Sequence, residues 1–194
     1  MKRTAKDTAK TRVALLGAAL ESFEEKGWRG ATFERIAERA GVSRGALHHH
    51  FQSKTVLLTE ALEWGWLDYG SRIFDAAPAR SDAEGRLRAL LSEFVTLLQV
   101  DKRFRALAYT TVLVAPQALD DSRPKHEALD AWRDQIAASL GEHPDLPVSA
   151  ATAAGLVLIL LQGFTVTAVT RPDDLPHLQH LDAAVTALVK GLLS

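Results

Sequence analysis

Apolar side chains return at three- and four-residue intervals along all 194 residues and nowhere alternate, which confines the chain to an all-α fold. Leu16, Ala19, Leu20 and Phe23 form one such stripe, and Gly27 is a natural stop for that first helix. Phe33, Ile36, Ala37 and Ala40 repeat the spacing in a short second helix, with Thr32 as its N-cap and Gly41 just after it. Ser43 caps a very short third helix running to about His50, and Ser53 a long fourth one to about Ala76. Further helices are predicted near 82–100, 102–114 (ending before Pro116), 123–140, 148–170 and 174–193, making about nine.

Composition narrows the class. With 47% apolar and 24% charged residues the chain can bury a real core, and the lack of cysteine excludes disulfides, thiolate catalysis and cysteine-ligated zinc. The basic start MKRTAKDTAKTR leads into a helix carrying Glu21, Glu24 and Glu25, without the apolar run of a signal peptide, so a cytoplasmic location is expected. Net charge is −1, but residues 1–54 hold eleven Lys/Arg against six Asp/Glu, a net of +5, and residues 55–194 balance this at −6. A basic end on an acidic body places the polyanion-binding function in residues 1–54, with 55–194 as a second domain.

Residues 32–51 give that function a shape. Ala37 sits where two helices must approach closely, Gly41 four residues on supplies a left-handed turn, and Leu47 six further on anchors the next helix. Small, glycine and aliphatic at these offsets describe a helix-turn-helix, here with Arg35, Arg39, Arg44 and Lys54 flanking a basic second helix.

The same stretch resembles the TetR-type transcriptional regulators. The likeness covers roughly residues 10–60: Phe-Glu-Glu-Lys-Gly-Trp, then Ala-Thr-Phe-Glu-Arg-Ile-Ala, then Ala-Gly-Val-Ser-Arg-Gly-Ala-Leu, then His-His-Phe-Gln-Ser-Lys. His48 stands where the family usually has Tyr, and Arg44 where Lys is common. The resemblance implies an N-terminal three-helix DNA-binding domain and a C-terminal helical domain for ligand binding and dimerisation. It implies a repressor acting on double-stranded operator DNA, an inverted repeat, and released by a small, largely apolar effector.

Eight residues are assigned to DNA. Thr32 and Ser43 lie at helix N-termini, where free N–H groups and a hydroxyl can hold phosphates. Arg44 leads the recognition helix and can make a bidentate contact with guanine O6 and N7. Gly45 and Ala46 permit close approach to base edges, and Ala46 can touch a thymine methyl. His48 and His49 take the place of the family's phosphate-contacting aromatic residues, and Lys54 resembles its phosphate-binding lysine.

Between Asp145 and Arg171 lie 25 residues without a charge, long enough to span a membrane. The interspersed Thr152, Gln162, Thr165, Thr167 and Thr170 favour a helix buried among others, with no membrane partner. Leu178, Leu181, Val185, Leu188 and Leu192 step by three and four along the last helix, and Gly155 and Gly163 allow close approach on its neighbour. As in TetR-like proteins, these seven residues are expected to form a homodimer interface. The resemblance also implies a ligand cavity among the middle helices. Trp66, Tyr69, Phe94, Tyr109, Trp132 and Phe164 are its aromatic candidates, and Thr110, Gln162 and Thr165 its polar ones.

No metal site or cofactor is expected. Consecutive helical residues point about 100° apart, so His48, His49 and His50 cannot share an ion, and nothing evident completes a site around His177 and His180. An enzyme is not expected either, because no nucleophile–base pair or phosphate loop stands out, and Asp120-Asp121 and Asp173-Asp174 read as loops or caps. The alternative is a helix-turn-helix protein without inducer, acting through protein partners as a division or nucleoid factor.

Overall fold

Six side chains set where helices begin. Thr32, Ser43, Ser53, Asp82, Asp101 and Ser149 each accept a hydrogen bond from the backbone N–H three residues on, satisfying a donor that the first helical turn leaves free. A computed structural model of the chain describes residues 5–118, 123–141 and 146–194, with backbone alone for 5, 6 and 123–128. Asp120 and Asp121 lie outside the described residues.

Nine helices are present among the described residues: α1 (Ala5–Gly30), α2 (Phe33–Arg39), α3 (Arg44–His50), α4 (Lys54–Phe74), α5 (Ala83–Val100), α6 (102–118), α7 (Arg123–Leu140), α8 (Ala150–Thr170) and α9 (Leu181–Leu193). Gly27 breaks α1 with φ +63°, leaving one further turn to Gly30. Helix α6 does not stop before Pro116 as the sequence suggests. It passes through a π turn, Thr110–Val114, into Ala115–Ala118. The Ala115 N–H bonds to the Thr110 carbonyl, five residues back, and this wider register accommodates a proline that an α-helical interior would reject. Helix α9 starts later than predicted. Pro172–Asp174 and Leu178–His180 form separate 3₁₀ turns, so Leu178 is not on the same α-helix as Leu181, Val185, Leu188 and Leu192.

The helices divide into two compact units. One holds the chain up to Asp68 together with the segment from Ala106, so the division falls inside both α4 and α6. Its core is Leu15, Leu16, Leu20, Phe23, Ile36, Leu47, Phe51, Leu57 and Leu58, all fully buried. Each such side chain contributes about 1.5–3 kcal/mol by leaving water. Helix α4 and the α6 segment meet at Gly65, where an added Cβ would lie 2.6 Å from Leu107 Cδ1.

The second unit runs from Tyr69 to Arg105 and resumes with α7–α9. There α7 packs on α8, and both α8 and α9 pack on α5. The predicted inner side of α5, Leu87, Leu90, Leu91, Phe94, Val95 and Leu98, is buried throughout. Helix α8 is long and apolar enough to cross a membrane by length and composition. It buries one face, Ala153, Ala154, Val157, Leu161, Thr165 and Ala168, and leaves Leu156 41% and Ile159 64% exposed on another.

Candidate nucleic-acid interface

Helices α2 and α3 are joined by a tight turn through Gly41, which takes φ +68°. The Gly41 N–H donates to the Glu38 carbonyl and the Val42 N–H to the Ala37 carbonyl, a left-handed helix ending that only glycine adopts without cost. Ala37 is 2% exposed and Leu47 is fully buried, so α3 is held against α2 by one face. On its outer side Ser43, Arg44, Gly45, His48 and His49 are exposed and Ala46 is half-buried. A Cβ at Gly45 would meet only Ser43 Oγ, at 4.0 Å, so this side of α3 is open to close approach.

The hydroxyls expected at phosphates serve as caps in the free protein. Thr32 Oγ1 accepts from the Arg35 N–H at 3.4 Å, and Ser43 Oγ from the Ala46 N–H at 3.1 Å. Arg44 is held on two sides: its Nη1 lies 2.8 Å from Glu34 Oε1, and its Nε donates to His48 Nε2 at 3.4 Å. The His48 ring in turn meets Phe33 edge-on, with centroids 4.9 Å apart. These contacts join two of the expected residues, Arg44 and His48, to Glu34 and Phe33, while Thr32 and Ser43 cap the leading ends of α2 and α3.

The sequence reading has no role for Glu34. Its carboxyl is held below the usual glutamate range. The first cause is a hydrogen bond from its own backbone N–H, followed by one from the Thr32 hydroxyl; Arg44 and His48 add to them, and slight desolvation opposes. The available signal was an acid in the first turn of one helix and an arginine in the first turn of the next, which a tight turn folds together.

Other basic residues are engaged within the first unit. Arg39 pairs with both Glu21 and Glu25 on α1, which raises its pKa, so it joins α2 to α1. Arg35 Nη1 donates to the Gly30 carbonyl at 2.8 Å. Lys54 Nζ donates to the Trp28 carbonyl and stands 4.1 Å from the Trp28 ring centroid. Burial lowers the Lys54 pKa.

The ligand-pocket candidates are shared between the two units. In the second unit the Tyr69 hydroxyl donates to Asp101 Oδ2 at 2.7 Å, and Phe104 takes Tyr69 and Phe94 on its ring, each with centroids 5.1 Å away. Phe94 also meets Trp132, which packs edge-on against Phe74. A cavity of about 130 Å³ beside this cluster is lined by Phe74, Arg86, Leu87, Leu90, Gln135, Ile136, Ser139 and Leu140, none of them among the expected residues. In the first unit Trp66 Nε1 donates to Thr111 Oγ1 at 3.0 Å, Tyr109 is half-buried, and Thr110 is fully buried with no partner for its hydroxyl among the described residues. Gln162 is half-buried on α8, and Thr165 Oγ1 bonds back to the Leu161 carbonyl at 2.8 Å.

The expected interface residues all lie in the second unit and differ in burial. Leu181 and Val185 are buried within the chain, together with Val189 and Leu193, while Leu188 and Leu192 are half-buried and Leu178 is 49% exposed. A Cβ at Gly155 or Gly163 would meet nothing within 4 Å.

Residues 15–61 match the family model described as bacterial regulatory proteins, tetR family. The HTH-type transcriptional activator FasR of Mycolicibacterium smegmatis is 32% identical over 129 residues, which make up 66% of this chain and 59% of FasR. The chain therefore spans less than two thirds of that relative. The HTH-type transcriptional repressor BepR of Brucella suis biovar 1 is 29% identical over 176 residues, covering 84% of this chain and 83% of BepR. Among solved structures, AibR in complex with isovaleryl coenzyme A and operator DNA superposes with a TM-score of 0.76 at 16% identity, covering 94% of this chain and 98% of AibR. That likeness is one of fold. Both named relatives are HTH-type regulators of transcription.

Proposed function

We propose that this chain, a TetR-type helix-turn-helix transcriptional regulator, acts as a homodimeric cytoplasmic repressor that leaves its operator when a small, largely apolar ligand binds. The observation that carries the DNA reading is α3. Leu47 fixes one side of it in the core, while Arg44, Gly45, His48 and His49 stand exposed on the other, next to the capped N-termini of α2 and α3. In this reading Arg44 addresses guanine in the major groove and Ala46 a thymine methyl. Thr32, Ser43, His48, His49 and Lys54 position the head on phosphates.

Dimerisation is supported by the free apolar face of α8, with Leu156 and Ile159 exposed and Gly155 and Gly163 open to close approach, and by the half-buried Leu188 and Leu192 of α9. One seven-residue recognition helix reads few bases, and pairing doubles the reading over an inverted repeat. Residues 1–54 would then serve DNA, and 55–194 the ligand and the partner. Ligand binding favours a state in which the paired recognition helices no longer match the half-site spacing, and α4, which carries residues of both units, is the connecting element. A coenzyme A thioester is bound in AibR, so acyl thioesters are a first set to screen. FasR is named an activator and BepR a repressor, so the sign of regulation needs its own reporter assay.

The test is selection of bound duplexes from a random library, then anisotropy titration of the best duplex at two salt concentrations. An inverted repeat with a steep salt slope is expected. Equal weak binding to every duplex would remove specific reading and direct attention to protein partners.

A further inference from the structure

The Glu34 carboxylate faces the one exposed arginine of the recognition helix from a neighbouring helix, across a turn fixed by Gly41. An exposed ion pair of this kind is worth little as a fold-stabilising contact. Its placement has a different consequence. Arg44 carries five N–H donors on a side chain with many rotamers, and Glu34 and His48 engage Nη1 and Nε. The Nη2 amino group has no bond among the described residues.

A guanidinium already paired with a carboxylate keeps its planar donor geometry and its charge, but the neighbouring negative charge offsets part of its attraction for anions. It is therefore a weaker partner for a phosphate, which selects charge, while the second N–H of Nη1 and those of Nη2 still form an edge that guanine O6 and N7 select by geometry. We propose that Glu34 is a specificity-setting positioning residue, which holds Arg44 oriented for guanine and suppresses its attraction to phosphate. This rests on the reading in which α3 enters the major groove and Arg44 reads a base.

The experiment compares the full-length wild type with Glu34→Gln, Arg44→Ala and the double variant, each first shown to be folded by circular dichroism and thermal unfolding. Affinities are measured on the selected duplex, on that duplex substituted at each position, and on a random duplex at several salt concentrations. Glu34→Gln frees one positive charge on the DNA-facing side. It is expected to bind random duplex about three- to tenfold more tightly, with a salt slope steeper by about 0.9. Discrimination at the Arg44 position is expected to fall by about three- to tenfold, and these effects should vanish in the Arg44→Ala background.

Tighter random binding with discrimination intact would overturn the orienting role. Persistence of the effects without Arg44 would show that Glu34 acts by itself at the N-terminus of α2, and would also overturn the proposal. If Arg44→Ala leaves the preference unchanged at every position, Arg44 is no base reader, and the underlying reading fails with it. If that variant relaxes one position and Glu34→Gln does not, only the present inference fails.

Discussion

Lys54 Nζ stands 4.1 Å from the centroid of the Trp28 ring and donates to the Trp28 carbonyl, so the first residue of α4 is fastened to the last turn of α1. The ammonium satisfies a carbonyl at a helix end that has no intrahelical partner, and the ring face adds a cation–π contact. Trp28 itself stacks on Phe23, with centroids 5.8 Å apart, which ties the corner to the fully buried core.

Replacing Lys54 by Met should therefore cost about 1–2 kcal/mol of stability, read by chemical denaturation. If Lys54 also holds a phosphate, the salt slope of DNA binding should fall by about one phosphate's worth. Lost stability with an unchanged slope would confine Lys54 to the corner.

Arg44→Ala should cost about 1–3 kcal/mol at one base position and relax the preference there. The readout is affinity for the selected duplex substituted position by position. A uniform loss over all sequences would instead make Arg44 a phosphate clamp.

Two glycines should fail for different reasons. At Gly41 an added Cβ meets nothing within 4 Å, and the penalty is the left-handed backbone alone, about 1–2 kcal/mol for Gly41→Ala. At Gly65 the backbone is ordinary but the Cβ would strike Leu107, at a cost of about 1–3 kcal/mol. Adding Leu107→Ala should recover part of the loss in Gly65→Ala and none in Gly41→Ala. Equal recovery in both would contradict this division.

Sedimentation at micromolar concentration should show a dimer, and Ile159→Asp should convert it to a folded monomer with far weaker operator binding. Ile159 is 64% exposed in the single chain, so a charge there burdens only an assembled pair. An Ile159→Asp protein that stays dimeric would move the interface elsewhere.

The lowered Glu34 pKa gives a pH signature. In the window between its folded value and the ordinary 4.5, the unfolded chain binds more protons than the native one. The stability that Glu34 contributes is thus fully present above 4.5 and lost as pH falls through the folded value. The difference in melting temperature between wild type and Glu34→Gln should shrink on acidification through that range. A difference that grows instead would reverse the sign of the shift.

Local chemistry made much of the fold legible. Thr32, Gly41 and Ser43 bounded the two short helices, because caps and left-handed glycine act within a few residues of chain. The stripe on α5 was equally readable, since burial of a helix face imposes its own period. The continuation of α6 through Pro116 was not, because a proline reads as a stop unless the preceding turn widens, and that widening is decided by packing. The 3₁₀ turns ahead of α9 also escaped, since Leu178 keeps the spacing of a helix it does not join.

The sequence by itself determined the all-helical class, the helix-turn-helix and which side chains its short third helix leaves exposed, all consequences of period, caps and a single turn. Only the tertiary structure decided which charges are engaged with one another. Arg39 and Arg44 are both arginines beside the same turn, yet one joins α2 to two glutamates of α1 and the other meets Glu34 at the outer surface. An ion pair depends on the distance between helices brought together by burial of Ile36, Ala37 and Leu47, a distance that no spacing along the chain encodes.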